Sequence, residues 1–255
     1  MLVAFFSNFK KNLIEFKRYY FNSISGIITI FVLFYLIFFG VKAVGSNSPT
    51  FGDTIDGIIV GYFMWLMFIF SFQGVSFGIM DEAQRGTLEQ VFMSPIPFEF
   101  QIFSRVVADF VFNICMIIPL MYLAAFTTKR NLGFNLPTLL YLLIIGVMGA
   151  LGIGLILGGI ALVFKRISSF IQIVTFGSLA FTMIDAKSIP LKFLPMSQTA
   201  YLMRQMAINK MNMFDFPFVE HLVLWISSFL YLLAGILAFK AFKISTMKSG
   251  SLSQY

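Results

Sequence analysis

Long apolar runs separated by short polar clusters organise this chain. An α-helix needs about 20 consecutive apolar residues to cross the hydrocarbon core of a bilayer. Six charge-free stretches reach or approach that length: 24–41, 57–80, 110–128, 138–164, 167–184 and 221–239. Only Lys165 and Arg166 separate the fourth from the fifth, and the two together far exceed one bilayer thickness, so the basic pair marks a tight turn. Lipid leaves backbone groups no partner outside a helix or a closed barrel. The pattern therefore predicts an all-α integral membrane protein with six transmembrane helices, a single transmembrane domain over residues 1–255.

Two flanking segments depart from this pattern. Residues 1–21 place Leu2, Phe5, Phe6, Phe9, Leu13, Phe16 and Tyr20 at helical spacing, with Lys10, Lys11, Lys17 and Arg18 mostly on other faces, the mark of an amphipathic helix lying on the membrane surface. The first apolar run begins after residue 23, is too long for a signal-peptide core and lacks a small-residue cleavage pattern, so it is expected to be retained. Residues 185–220 are too long for a turn and too charged to span, and Pro190, Pro195 and Pro217 divide them. Between the last two prolines, Tyr201, Met203, Arg204, Ala207 and Ile208 suit a short half-polar helix, expected outside the cell and dipping toward the membrane.

Six crossings put both termini on one side. That side collects Lys10, Lys11, Lys17, Arg18, Arg85, Arg105, Lys165, Arg166, Lys240, Lys243 and Lys248; the other has Lys42, Lys129, Arg130, Lys187, Lys192, Arg204 and Lys210. Basic residues favour the cytoplasmic side, so a plasma-membrane protein with both termini cytoplasmic is expected.

Composition agrees with the pattern. The chain is 59% apolar and only 11% charged, against about 45–50% and about 25% in soluble domains. The net charge of +7 collects at the ends of apolar runs, where it serves topology and lipid headgroups, and no nucleic-acid partner is expected. The single cysteine, Cys115, excludes a disulfide framework or a cysteine metal site within one chain, and a buried structural thiol is its plain reading. His221, also alone, is expected to be an interfacial residue at the foot of the last apolar stretch.

Polar groups within the spans are few. Arg105 and Asp109 are four apart, share a helix face and are expected to pair. Gln73, Asn113 and Gln172 are uncharged polar residues that either bond between helices or line a translocation path. The absence of ionisable groups at mid-span argues against ion-coupled transport, and no paired nucleophile and base points to an intramembrane enzyme. Small residues recur at every fourth position through Gly146, Ala150, Gly154 and Gly158, with Gly149, Gly152 and Gly159 beside them. They form a seam for close helix packing, within the chain or between two copies.

The densest charge and turn chemistry lies between the second and third spans, from Met80 to Pro97. Thr87 followed by Gln90 forms a capping box after Gly86, so a short helix is expected from Leu88 until Pro95 ends it. It would show Leu88, Val91 and Phe92 on one side and Glu89 and Gln90 on another, an apolar ridge rimmed by charge that suits a protein contact.

Glu82, Arg85-Gly86-Thr87-Leu88-Glu89 and Ser94-Pro95 resemble the signature of the ABC-2 permease family, the membrane subunits of one class of ATP-binding-cassette exporters. Leu194-Pro195 and Tyr201 to Arg204 resemble a weaker family pattern. The resemblance implies that residues 84–95 form a coupling helix seated in a separate nucleotide-binding ATPase, and that two permease chains, a homodimer, move cargo out of the cell by alternating access. The chain holds no G-x-x-x-x-G-K-[ST] phosphate loop, so ATP and Mg are expected on the partner and no cofactor on this chain. Abundant Phe and Met suit a hydrophobic or amphipathic cargo such as a drug, peptide, natural product or lipid. The alternatives are a polysaccharide or teichoic-acid lipid carrier, or sodium; outside transport, a membrane scaffold or intramembrane enzyme.

Overall fold

The computed structural model describes residues 2–44, 55–86, 93, 98–129, 132–133, 135–184 and 186–248. All regular elements among them are α-helices: α1 (Leu2–Arg18), α2 (Tyr20–Val44), α3 (Ile55–Gln84), α4 (Phe98–Thr127), α5 (Leu136–Phe164), α6 (Ser168–Met183), α7 (Ile189–Lys192), α8 (Ser197–Asn209) and α9 (Phe218–Lys248).

Five of these, α2, α3, α4, α5 and α9, are long and apolar enough to cross a membrane. The stretch 167–184 yields the 16-residue α6, about 24 Å long against a hydrocarbon core of about 30 Å. Its ends nonetheless belong to opposite ends of the bundle. It starts beside the Lys165 turn, where Gln84 Nε2 donates to the Lys165 carbonyl at 3.3 Å, and it finishes near Gly61, early in α3.

Helix α3 is apolar on all sides and becomes the core: Ile59, Tyr62, Phe63, Met67, Phe68 and Phe72 are fully buried. It packs against α2, α4, α5, α6 and α8. Polar ties run across it: the Tyr62 hydroxyl donates to the Ile30 carbonyl at 2.6 Å, and Trp65 Nε1 donates to the Thr175 carbonyl at 2.9 Å. Phe21, Leu36, Phe126 and Leu237 on α2, α4 and α9 face outward, as a lipid-facing coat must.

Small residues on α5 serve two seams, both inside the chain. A Cβ on Gly146 would strike Thr199 of α8, and one on Gly154 would meet the Phe72 backbone of α3. Gly158 faces Ile79, and Ala150 is fully buried. On another face, Gly152 lies against the Tyr231 carbonyl while Gly235 lies against Gly152 itself, bringing the α5 and α9 backbones into contact.

Two helices gain a definite setting, and one expectation changes. Helix α1, the expected amphipathic helix, packs along α4. Asn8 meets Ser104, Asn12 meets Asp109 and Phe16 meets Phe112, contacts that advance together along both chains, so α1 runs beside α4 in the same direction for about two turns. Helix α8, the expected short half-polar helix, is packed into the bundle. Ala200, Leu202, Met203, Met206 and Ala207 are buried against α3, α5 and α6, because the polar groups that looked unfit for burial find partners there. Cys115 is exposed on the outer face of α4 and is no core thiol, because α4 turns other faces to α1 and α3.

Candidate functional site

The α3–α4 connection begins where α3 ends. Gly86 has φ +69°, the left-handed geometry in which glycine closes a helix without strain. Arg85 pairs with Asp81 at 2.8 Å on an exposed surface, where such a bridge contributes little, and Glu82 is half-buried beside them. One residue from Glu82, Ala83 is buried in a small core with Val75, Ile79, Leu162 and Phe239. The last turns of α3 are thus fixed to α5 and α9. Thr87, Leu88, Glu89, Gln90, Val91, Phe92, Ser94 and Pro95 lie outside the described residues; Met93 is exposed.

About three turns up α3 from this end, a cleft of about 590 Å³ opens between α1, α2, α3 and α4. It sits where α1 passes into α2, with Asn12, Glu15 and Tyr19 on one wall and Gln73, Asp109 and Asn113 on the others, and Phe16, Phe70, Phe77 and Phe112 supply apolar surface. Gln73 also bonds between helices, Nε2 donating to Thr175 Oγ1 at 2.8 Å. Gln172 is not among the residues lining this cleft; it is exposed on α6.

Arg105 Nε lies 3.9 Å from Asp109 Oδ2, at the edge of pairing distance. The closer contact of Asp109 is one the sequence pattern did not single out: Asn12 Nδ2 donates to Oδ1 at 2.7 Å. Room for the pair comes from two glycines four apart on α3. A Cβ on Gly78 would approach Arg105 Nη1 to 2.9 Å, and one on Gly74 would lie 3.6 Å from Asp109 Oδ2.

At the opposite end, buried Arg204 reaches from α8 to the end of α6, donating from Nη1 to the Ile184 carbonyl at 2.7 Å and from Nη2 to the Thr182 carbonyl. A cation there satisfies open carbonyls and complements the helix dipole. Gly61 makes this possible, since its Cβ position is 3.3 Å from Arg204 Nη2. Nearby, Glu220 binds Lys192 and accepts from Gln198 Nε2 at 2.7 Å. His221 joins the Tyr141 hydroxyl to the Met213 carbonyl, each at 2.8 Å, which gives it a structural place.

Among the described residues no three His, Cys, Asp or Glu side chains gather to hold a metal ion. A search of curated proteins finds no match. A protein-family model described as ABC-2 family transporter protein matches residues 40–237, a span that includes α3, α4, α5, α6, α8 and most of α9. With its membrane-length helices already in place, the chain therefore belongs to the ABC-2 transporter family and is a multi-pass membrane subunit for transport.

Proposed function

We propose that this chain is the permease of an ATP-driven exporter, crossing the membrane six times with α6 as the short fifth crossing and both termini cytoplasmic. It works as a homodimer with two copies of a separate ATPase and carries a hydrophobic or amphipathic cargo outward. The observation that carries the reading is the continuity of α3. One end bears the Glu82 to Gly86 part of the family motif, pinned through Ala83 to α5 and α9; its middle bears Gln73, Gly74 and Phe77 on the wall of the cleft. A force applied by an ATPase on residues 84–95 would reach the cleft along one packed helix.

Finding a phosphate-loop ATPase in a neighbouring reading frame, and co-expressing it with this chain, tests the coupling. Replacing both Leu88 and Phe92 by Asp should leave the chain in the membrane, abolish co-purification of the ATPase and stop transport. A double variant that still retains the ATPase and transports normally would defeat the assignment. The mixed walls of the cleft favour an amphipathic cargo over a free ion, because four phenylalanine rings have no use for sodium.

A further inference from the structure

The sign of the charge around the cleft narrows its cargo. Among the described residues, the ionisable side chains lining it are Glu15, Tyr19 and Asp109, and none of those lining residues is basic. The cations that partner the carboxylates stand outside: Lys11 reaches Glu15 at 3.7 Å and Arg105 reaches Asp109 at 3.9 Å, both long contacts. The Lys11 bridge is more than half exposed and so is readily exchanged for another cation.

The two carboxylates also differ in depth. Glu15 is exposed at the mouth, whereas the Asp109 side chain is only 25% accessible and is held in position by Asn12. Around them stand Phe16, Phe70, Phe77 and Phe112. Aromatic faces attract cations as well as apolar bodies, and the volume lies within the range of small-molecule sites. A large anion would meet two carboxylates and, among the described lining residues, no compensating positive charge.

We propose that the cleft binds amphipathic organic cations, the charged centre received first by Glu15 and then by Asp109, the apolar body held against the phenylalanine rings. This rests on the permease reading above and names its cargo class.

The test uses the purified full-length chain in lipid nanodiscs, with empty nanodiscs as background, and two probes of matched shape and opposite charge, tetraphenylphosphonium and tetraphenylborate. The expected result is saturable tetraphenylphosphonium binding at least about tenfold tighter than that of tetraphenylborate. Glu15→Gln and Asp109→Asn should each erode that preference about tenfold; should Asp109→Asn fail to fold, exposed Glu15→Gln carries the test alone. Equal binding of the two probes, no saturable binding of the cation, or full preference retained in Glu15→Gln would overturn the proposal. The permease reading fails separately, through the ATPase capture at residues 84–95, which uses neither probe.

Discussion

Replacing Gly152 by alanine should be among the most damaging single-methyl additions in this protein. The added Cβ would lie 2.0 Å from the Tyr231 carbonyl oxygen and 2.3 Å from its carbon. Close carbon–oxygen approaches between packed helices stop at about 3.3 Å, so α5 and α9 must separate locally by about 1.3 Å. Overpacking a core by one group costs about 1–3 kcal/mol. The obstacle here is backbone, which no rotamer change removes, so the upper end, about 3 kcal/mol, is expected. Gly149→Ala is the internal control: its Cβ would rest 3.4 Å from the Ser228 Cα, an ordinary contact, on the same helix and with the same propensity gain. Thermal unfolding of the purified chain in nanodiscs reads the difference. At about 2–4 °C per kcal/mol for a chain of this size, Gly152→Ala should melt roughly 6–12 °C below wild type and Gly149→Ala within roughly 2 °C. Gly235→Ala should resemble Gly152→Ala, and the double variant should cost less than the two together, because both methyls open the same gap. A Gly152→Ala protein as stable as Gly149→Ala would refute the close backbone contact.

Further outcomes follow from single positions. Arg204→Met removes charged hydrogen bonds to the Thr182 and Ile184 carbonyls and should lower stability by about 3 kcal/mol, with faster amide exchange confined to α6 and α8; unchanged exchange in α6 would show that Arg204 does not hold it. Lys165 ends α5 at φ 57°, so Lys165→Gly should relieve about 1 kcal/mol of left-handed strain and raise the melting temperature; a lowered one would count against strain at this turn. A cysteine at exposed Asn209, in a Cys115→Ala background, should react with a membrane-impermeant reagent on intact cells. Labelling only in opened cells would reverse the proposed orientation.

Where the sequence and the structure part, charge is the cause. The apolar run 138–164 matches α5 within two residues, since nothing polar interrupts it. The run 110–128, by contrast, falls twelve residues short of the start of α4 at Phe98, because Arg105 and Asp109 break the apolar pattern without breaking the helix. They remain helical by sharing a face with each other and with Asn12, a partner 97 positions away that periodicity does not reveal. The same reason hid the burial of α8. Arg204 looked like an outside charge because its partners are backbone carbonyls of α6, which have no letter in the sequence. Of the cleft, Gln73, Asn113 and Asp109 stood out as polar groups within spans, while Glu15 and Asn12 lie on α1, whose packing against α4 periodicity does not reveal.

Glycine separates architecture from function here once its neighbours are known. On α5 the space beside Gly152 and Gly154 is filled by the backbones of α9 and α3, contacts that fix helix positions and carry no chemistry. On α3 the space beside Gly74 and Gly78 is filled by the ends of Asp109 and Arg105, so the missing side chains admit polar groups into an otherwise apolar bundle. Both patterns show small residues at regular spacing, and only what occupies the gap distinguishes them. Gly74 lies one residue from Gln73 on the cleft, and Gly78 lies eight residues before Gly86, which follows the end of the same helix. A shift of α3 along α4 would slide these two glycines past Arg105 and Asp109 and so alter how far Arg105 neutralises the carboxylate in the cleft. On the coupling proposed above, α3 would move together with α5 and α9, to which its last turns are packed, and its displacement against α4 would change the affinity of the cleft for a cation.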